Sequence, residues 1–398
     1  MKFISFLGLF VMMLIAWLLS SNRRKMDWRL IVSGLLLQFA LAGIILGTRP
    51  GKILFAGANT AITAMLKASD AGAAFVFGEG FQEHYFAFSV LPTIIFISSL
   101  MAIFFHLGII QFIVKILARI MVWVMDTSGS ESLCAAANVF VGQTEAPLVV
   151  RGYLPTMTRS ELMAMMTGGM ATIAGGVMAA YVGMGIDAGH LLSASFMSAP
   201  ASLVIAKILY PELENSPTKG EVRIEVPRQD TNILDAACRG AGEGLKLALN
   251  VAAMLIAFLA LLYLINLILG LLPQVGGADI SLERILGLLL APLAWIMGIE
   301  WADAHAVGVL IGKKIIANEF IAYMDLTAMK EQLSPRSFTI ATYALCGFAN
   351  FGSIGILIGG LGNLVPERRK DFAKLSFKAM IGGALAAFMT ACIVGMFI

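Results

Sequence analysis

Apolar runs about as long as a helix needs to cross a hydrocarbon core recur along this chain, separated by short polar clusters. They are Phe3–Ser20, Leu30–Gly47, Phe86–Ile110, Leu191–Leu209, Val251–Leu272 and Phe372–Ile398, and each predicts a membrane-crossing helix. Phe3–Ser20 has no small-x-small cleavage site and runs directly into Arg23, Arg24 and Lys25, so it reads as a retained span rather than a signal peptide. The basic turn Arg23–Arg29 also sets topology, because short cytoplasmic loops collect Lys and Arg; the N-terminus is expected outside. Pro50–Ala68 is too interrupted to cross. Its Lys52 and Lys67 flank Leu54, Phe55, Ile62 and Leu66, which suits a helix lying along the membrane surface.

The stretch Tyr210–Asp235 has the composition of an aqueous linker: Pro211, Pro217 and Pro227 stand among Glu212, Glu214, Lys219, Glu221, Arg223, Glu225 and Arg228. It divides the chain roughly in half, and the same order of features recurs on either side. Asn138 to Gly185 contains Glu145 in an apolar setting, then Arg159-Ser160, then a helix pattern interrupted at Ala171-Thr172-Ile173-Ala174-Gly175-Gly176. Lys314 to Gly362 contains Glu319, then Arg336-Ser337, then an interruption at Phe348-Ala349-Asn350-Phe351-Gly352-Ser353. Glu145 and Ser160 are 15 positions apart against 18 for Glu319 and Ser337; Ser160 and Thr172 are 12 apart against 13 for Ser337 and Asn350. Paired, interrupted apolar segments at corresponding places in two halves are how secondary transporters build a site near the bilayer midplane. In lipid, unwound backbone is tolerable only where protein buries it or it lines a cavity. Gly168-Gly169 and Gly359-Gly360 suit close helix packing, whereas Thr172 and Asn350 sit beside polar breaks.

Composition turns these runs into spans. Of 398 residues, 59% are hydrophobic and 13% charged, with 40 glycines and 23 methionines, far from the balance of a soluble domain. The net charge of +3 comes from basic residues scattered among loops without aromatic interleaving, so nucleic acid is not an expected partner. Cys134, Cys238, Cys346 and Cys392 lie in apolar segments without metal-ligand spacing and read as core thiols. His84, His106, His190 and His305 are equally dispersed.

A carboxylate at mid-membrane costs on the order of 2.5–3.5 kcal/mol even on the forgiving insertion scale, so Glu145 and Glu319 are functional candidates. Their structural alternative is an ion pair with Arg151, Lys313 or Lys314. Around them cluster Gln143, Thr144, Asn318, Asn350 and Ser353, a set rich in amides and acceptors and poor in cations. An anion would call for Arg or helix-end donors without nearby carboxylates. A neutral solute with hydroxyls and ring N–H groups, such as a base linked to a sugar, fits better.

These residues resemble the concentrative nucleoside transporters. The family signature G-x-K-x3-N-E-F-V-A-Y/M/F appears as Gly312-Lys313-Lys314-Ile315-Ile316-Ala317-Asn318-Glu319-Phe320-Ile321-Ala322-Tyr323, with Ile321 in the valine place. Gly142-Gln143-Thr144-Glu145-Ala146-Pro147-Leu148 matches the motif of its first hairpin, and Phe75-Val76-Phe77-Gly78 and Leu91-Pro92-Thr93-Ile94-Ile95-Phe96 extend the likeness over nearly the whole chain. The resemblance implies an all-α integral membrane protein with eight transmembrane helices and two re-entrant hairpins in an inverted repeat, as in short bacterial members. Gln143, Thr144 and Glu145 would then meet the nucleobase, with Val177 and Phe348 closing over its ring. Glu319, Asn350 and Ser353 would bind the ribose, with Ile354 in the same substrate set. Asn138, Val141, Thr172 and Ile173 match the sodium site; proton-coupled members depart at the asparagine, and Asn138 is kept here, so sodium is the expected coupling ion.

The implied organisation is scaffold spans and an interfacial helix in 1–125, a first transport repeat in 126–209, the linker 210–235, a long scaffold span in 236–275 and a second transport repeat in 276–398. It carries the expectation of a homotrimer in a bacterial inner membrane, moving a uridine-like nucleoside by elevator-type alternating access. Alternatives that remain are proton coupling and an ion channel with re-entrant hairpins. An intramembrane enzyme using Glu145 and Glu319 as an acid–base pair is not expected, since no Ser/Lys, HExxH or paired-Asp arrangement accompanies them.

Overall fold

The computed structural model describes residues 1–84, 86–220, 230–274 and 279–398. Of the positions read above, Glu221, Arg223, Glu225, Pro227 and Arg228, and the side chains of Lys52 and His84, lie outside the described residues. Among the described residues the chain is helical, with no strand. The first part runs α1 (Lys2–Leu18), α2 (Trp28–Gly47), α3 (Arg49–Phe77) and α4 (Leu91–His106). A first series follows: α5 (Ile109–Met125), α6 (Gly129–Ala137), a short 3-10 turn Ala146–Val150, α7 (Arg159–Ala171), α8 (Gly175–Gly183) and α9 (Ala188–Leu209). After α10 (Ile233–Leu269) a second series has the same order: α11 (Leu282–Ile296), α12 (Trp301–Ile316), α13 (Glu319–Ala328), α14 (Pro335–Leu345), α15 (Phe351–Leu364) and α16 (Arg369–Phe397).

Six helices among the described residues are long and apolar enough to cross a membrane, or seven if α11 and α12, bent by 118° at their junction, count as one. Several boundaries differ from the sequence reading. The run Phe86–Ile110 does not continue as one helix: α4 stops at His106, and Gly108 takes a left-handed φ of +79° before α5 begins. The surface segment expected at Pro50–Ala68 belongs to a continuous 29-residue helix, started by Thr48 with Pro50 in its first turn. α10 reaches further back than Val251, to Ile233, because Asn232 caps it by accepting from the Asp235 amide; it has 37 residues. Cys134, Cys346 and Cys392 are core thiols as expected, but Cys238 is exposed on α10.

Burial separates two kinds of helix. The apolar windows of α9 and α16 are 89% and 83% buried, whereas that of α10 is 11% buried. α10 lies against α4 through glycine: a Cβ at Gly240 would lie 2.7 Å from the Ser98 carbonyl oxygen, and Ser99 Oγ donates to the Ala237 carbonyl at 2.9 Å. Small residues here let two backbones approach, as membrane helices require. Side-chain caps fix the helix starts around the core. Ser128 with Glu131 and Thr158 with Glu161 form reciprocal capping boxes on α6 and α7.

The interruptions read from the sequence are real helix breaks. α7 ends where Thr172 turns extended, with φ −124° and ψ 169°, and α8 restarts after Ala174. α14 ends at Cys346, and Gly347 follows with φ +138°, a conformation open to glycine. The two breaks touch: the Phe348 amide donates to the Thr172 carbonyl at 3.2 Å. A Cβ at Gly347 would lie 2.8 Å from the Met170 carbonyl oxygen, so this crossing needs glycine on steric grounds too. Of the glycine pairs read as packing positions, Gly168, Gly169 and Gly360 meet neighbours within 4 Å; Gly359 is exposed and, among the described residues, a Cβ there would meet nothing within 4 Å.

Candidate functional site

Two asparagines build the second half of the site. Asn318 caps α13 by accepting from the Ile321 amide at 3.0 Å, and Asn350 caps α15 by accepting from the Ser353 amide at 2.8 Å. Each cap uses the side-chain oxygen, so the Asn350 amide nitrogen stays free to donate, and it does so to Glu319 Oε2 at 3.1 Å. Tyr181 of α8 donates to Glu319 Oε1 at 2.8 Å. Glu319 is the first residue of α13 and is 5% exposed, so a buried carboxylate sits at the positive end of a half-helix with two donors aimed at it. Val177 lies one turn before Tyr181 on the same face of α8 and is buried; Phe348 and Ile354 are half-buried beside Asn350 and Ser353. Neither basic candidate pairs with Glu319: Lys313 binds Asp325 at 2.8 Å, and Lys314 donates to the Ala344 carbonyl at 2.9 Å.

The first half is more open. Thr144 Oγ1 donates to Glu145 Oε1 at 3.0 Å, and Glu145 is exposed. It faces a cavity of about 570 Å³ whose wall also includes Val141, Ala174, Lys115, Arg239 and Glu243. Arg239 binds Asp230 through two bonds of 2.6 and 2.8 Å and Glu243 at 2.9 Å, and its guanidinium holds the Asp230 carboxyl below the usual carboxylate range. Among the described residues no hydrogen bond joins Glu145 to Glu319. Glu145 shares its cavity with Gly175, which lies about 9 Å along α8 from Tyr181 at 1.5 Å per residue. The Thr144 side chain reaches Gly360 of α15, where a Cβ would lie 2.8 Å from its methyl. The structure therefore links Glu319, Tyr181, Asn350 and Ser353 directly and sets Glu145 on the open side of the same helix.

Asn138 is the notable residue between them. It is 0% exposed, yet neither its amide oxygen nor its amide nitrogen has a hydrogen-bond partner, and Gln143 Oε1 is likewise unpaired. A Cβ at Gly169 would lie 3.6 Å from Asn138 Oδ1 and 2.8 Å from Gln143 Cβ, so Asn138 and Gln143 press on the last turn of α7. Among the described residues no hydrogen bond reaches the carbonyls of Met170 and Ala171. An orphaned amide oxygen at the last turn of α7 fits a hard monovalent cation, which takes oxygen ligands and favours the negative end of a helix dipole. Asn138, Val141, Thr172 and Ile173 are the residues that would hold it.

Residues 190–395 match the family model described as "Na+ dependent nucleoside transporter C-terminus", residues 7–80 its N-terminal counterpart, and residues 87–188 "Nucleoside recognition". The chain belongs to the Na+-dependent nucleoside transporter family. It is 44% identical over 412 residues to an uncharacterized transporter of Haemophilus influenzae, covering 99% of this chain and 97% of that protein. It is 42% identical over 411 residues to human solute carrier family 28 member 3, covering 99% of this chain but 60% of the human protein. The chain thus spans about 60% of the length of such animal relatives. Its fold is similar to that of CNTnw in an inward-facing substrate-bound state, with TM-score 0.93, 42% identity and coverage of 99% of this chain and 97% of that one. A CNTnw double variant in an outward-facing state gives TM-score 0.94 at 42% identity, covering 99% and 98%. The family is one of transporters rather than enzymes, and sodium is its coupling ion.

For a member of this family, sequence reasoning missed Tyr181. Its one signal was a lone phenol in an otherwise apolar helix, one turn after Val177. It also missed that Lys314 serves α14 rather than a carboxylate.

Proposed function

We propose that this chain imports nucleosides by sodium symport. The observation that carries the reading is Glu319, buried and held by Tyr181 and Asn350, close to where the two helix breaks touch. Such a carboxylate accepts from two adjacent ribose hydroxyls, with Asn350 and Ser353 beside it. Gln143, Thr144 and Glu145 meet the base, and Val177, Phe348 and Ile354 flank its ring. Sodium sits with Asn138, Val141, Thr172 and Ile173. Because the cation and the base share one hairpin tip, cation binding orders the surface the base meets, and loading is cooperative. One positive charge moving inward across about 100 mV releases roughly 2.3 kcal/mol, enough for about a 40-fold gradient of solute.

The architecture follows the repeat. α1, α2, α4, α7 with α8, α9, α10, α14 with α15, and α16 make eight spans; the segments from α6 to Val150 and from α12 to α13 are two re-entrant hairpins. Segments 1–125 and 236–275 form a scaffold, and 126–209 and 276–398 a transport domain that moves against it as an elevator, with 210–235 as the tether. The exposed apolar length of α10 supports assembly as a homotrimer in a bacterial inner membrane. Uptake of uridine, adenosine and guanosine into proteoliposomes, with sodium and pH gradients imposed separately, tests the reading. Uridine should accumulate under a sodium gradient alone; accumulation driven only by a pH gradient, or none of any nucleoside, would contradict it.

A further inference from the structure

On α9, Ser195, Ser198 and Ser202 recur at spacings that place them on one helix face. All three are buried, and the hydroxyls of Ser195 and Ser198 have no hydrogen-bond partner. Register decides what that face meets. α7 runs antiparallel to α9, and facing residues carry numbers that add to 370. Ser160 Oγ donates to the Tyr210 carbonyl at 2.7 Å. A Cβ at Gly168 would lie 3.5 Å from Ser202 Oγ.

Continued by one turn, that register sets Ser198 level with Thr172, just past the end of α7. Asn138 stands one turn away, level with Ser202: a Cβ at Gly168 would lie 3.4 Å from its amide nitrogen and 3.5 Å from Ser202 Oγ. The Ser198 hydroxyl and the Asn138 amide, both buried and without partners, therefore stand within about a turn of each other along the end of α7. Leaving such groups unpaired is unfavourable until something binds them. Their chemistry, neutral oxygens at a helix C-terminus, selects a hard cation.

We infer that Ser198 completes the cation site from α9, giving its hydroxyl oxygen to the coupling ion directly or through one water. α9 then senses the cation, and the site is closed by three elements: the first hairpin, the end of α7 and α9. The inference rests on the sodium-symport reading.

The test uses the purified full chain in detergent, following its thermal unfolding midpoint as sodium chloride replaces choline chloride at fixed ionic strength. Wild type should be stabilised by sodium. In Ser198→Ala the sodium concentration for half the stabilisation should rise roughly tenfold, with uridine affinity at saturating sodium unchanged. Ser195→Ala, one turn past the break, should titrate as wild type. Should Ser198→Ala not fold, Ser198→Cys keeps the shape, replaces oxygen with sulfur and should give the same shift. A wild-type sodium titration in Ser198→Ala or Ser198→Cys overturns the inference alone. A wild type indifferent to sodium overturns the symport reading with it.

Discussion

The two helix breaks follow one plan and end differently. At the end of α14 the freed carbonyls are taken by the protein itself: Tyr323 Oη donates to the Thr342 carbonyl at 2.7 Å and Lys314 Nζ to the Ala344 carbonyl at 2.9 Å. At the end of α7, among the described residues, no Lys or Tyr donates to the Met170 or Ala171 carbonyls, which lie against Gly347; Thr172 Oγ1 turns back to Gly168 at 3.1 Å, and the buried Asn138 amide near Gly168 stays unpaired. A helix C-terminus carries partial negative charge and favours a cation close by. The second repeat supplies one covalently, as the Lys314 ammonium, while the proposed reading leaves the first to an ion from solution. In that reading one break is permanently set and holds the carboxylate that meets the solute, and the other is finished only on loading.

The sharpest way to break this contrast is at Glu319. Glu319→Gln removes the charge from the finished side and should weaken uridine binding about 100-fold at saturating sodium, as loss of a charge-assisted bond pair predicts; a calorimetric loss below about threefold would move the ribose contact elsewhere. Lys314→Met takes away the built-in cation and leaves the Ala344 carbonyl unsatisfied. It should lower stability by about 2 kcal/mol in chemical denaturation yet keep the stabilisation by sodium, because the ion belongs to the other break. Gly347→Ala forces a side chain into a left-handed conformation against the Met170 carbonyl and should cost about 1.5 kcal/mol; a neutral Gly347→Ala would mean the breaks can separate freely. Tyr181→Phe deletes one of two donors to Glu319 and should reduce uridine affinity about fivefold, near 1 kcal/mol, with sodium dependence unaltered.

Much of this was legible in the chain. The repeat, the breaks at Thr172 and Asn350 and the pairing of Glu319 with Asn350 all follow from polar residues placed where lipid tolerates none without a purpose. What was not legible depends on which helices meet. Nothing near position 319 announces that Tyr181, 138 residues away, is its donor. Lys314 read as a possible ion-pair partner, because sequence distance suggested a carboxylate and only packing reveals the Ala344 carbonyl. Glu145 and Glu319 looked equivalent by position in the repeat. Their difference in exposure comes from a cavity among residues 140–148, α4 and α10 that no single segment encodes. The glycines divide in the same way: Gly360 packs on Thr144 and Gly359 faces outward, though they are neighbours in one helix.

In the proposed reading sodium completes the first break, and that completion favours the nucleoside. Calorimetric titration of uridine into wild type and Asn138→Leu, in sodium chloride and in choline chloride, tests it most directly. Wild type should bind at least about tenfold more tightly in sodium, and Asn138→Leu should bind weakly and equally in both salts. Equal wild-type affinity in the two salts, or a full sodium effect surviving in Asn138→Leu, would contradict it.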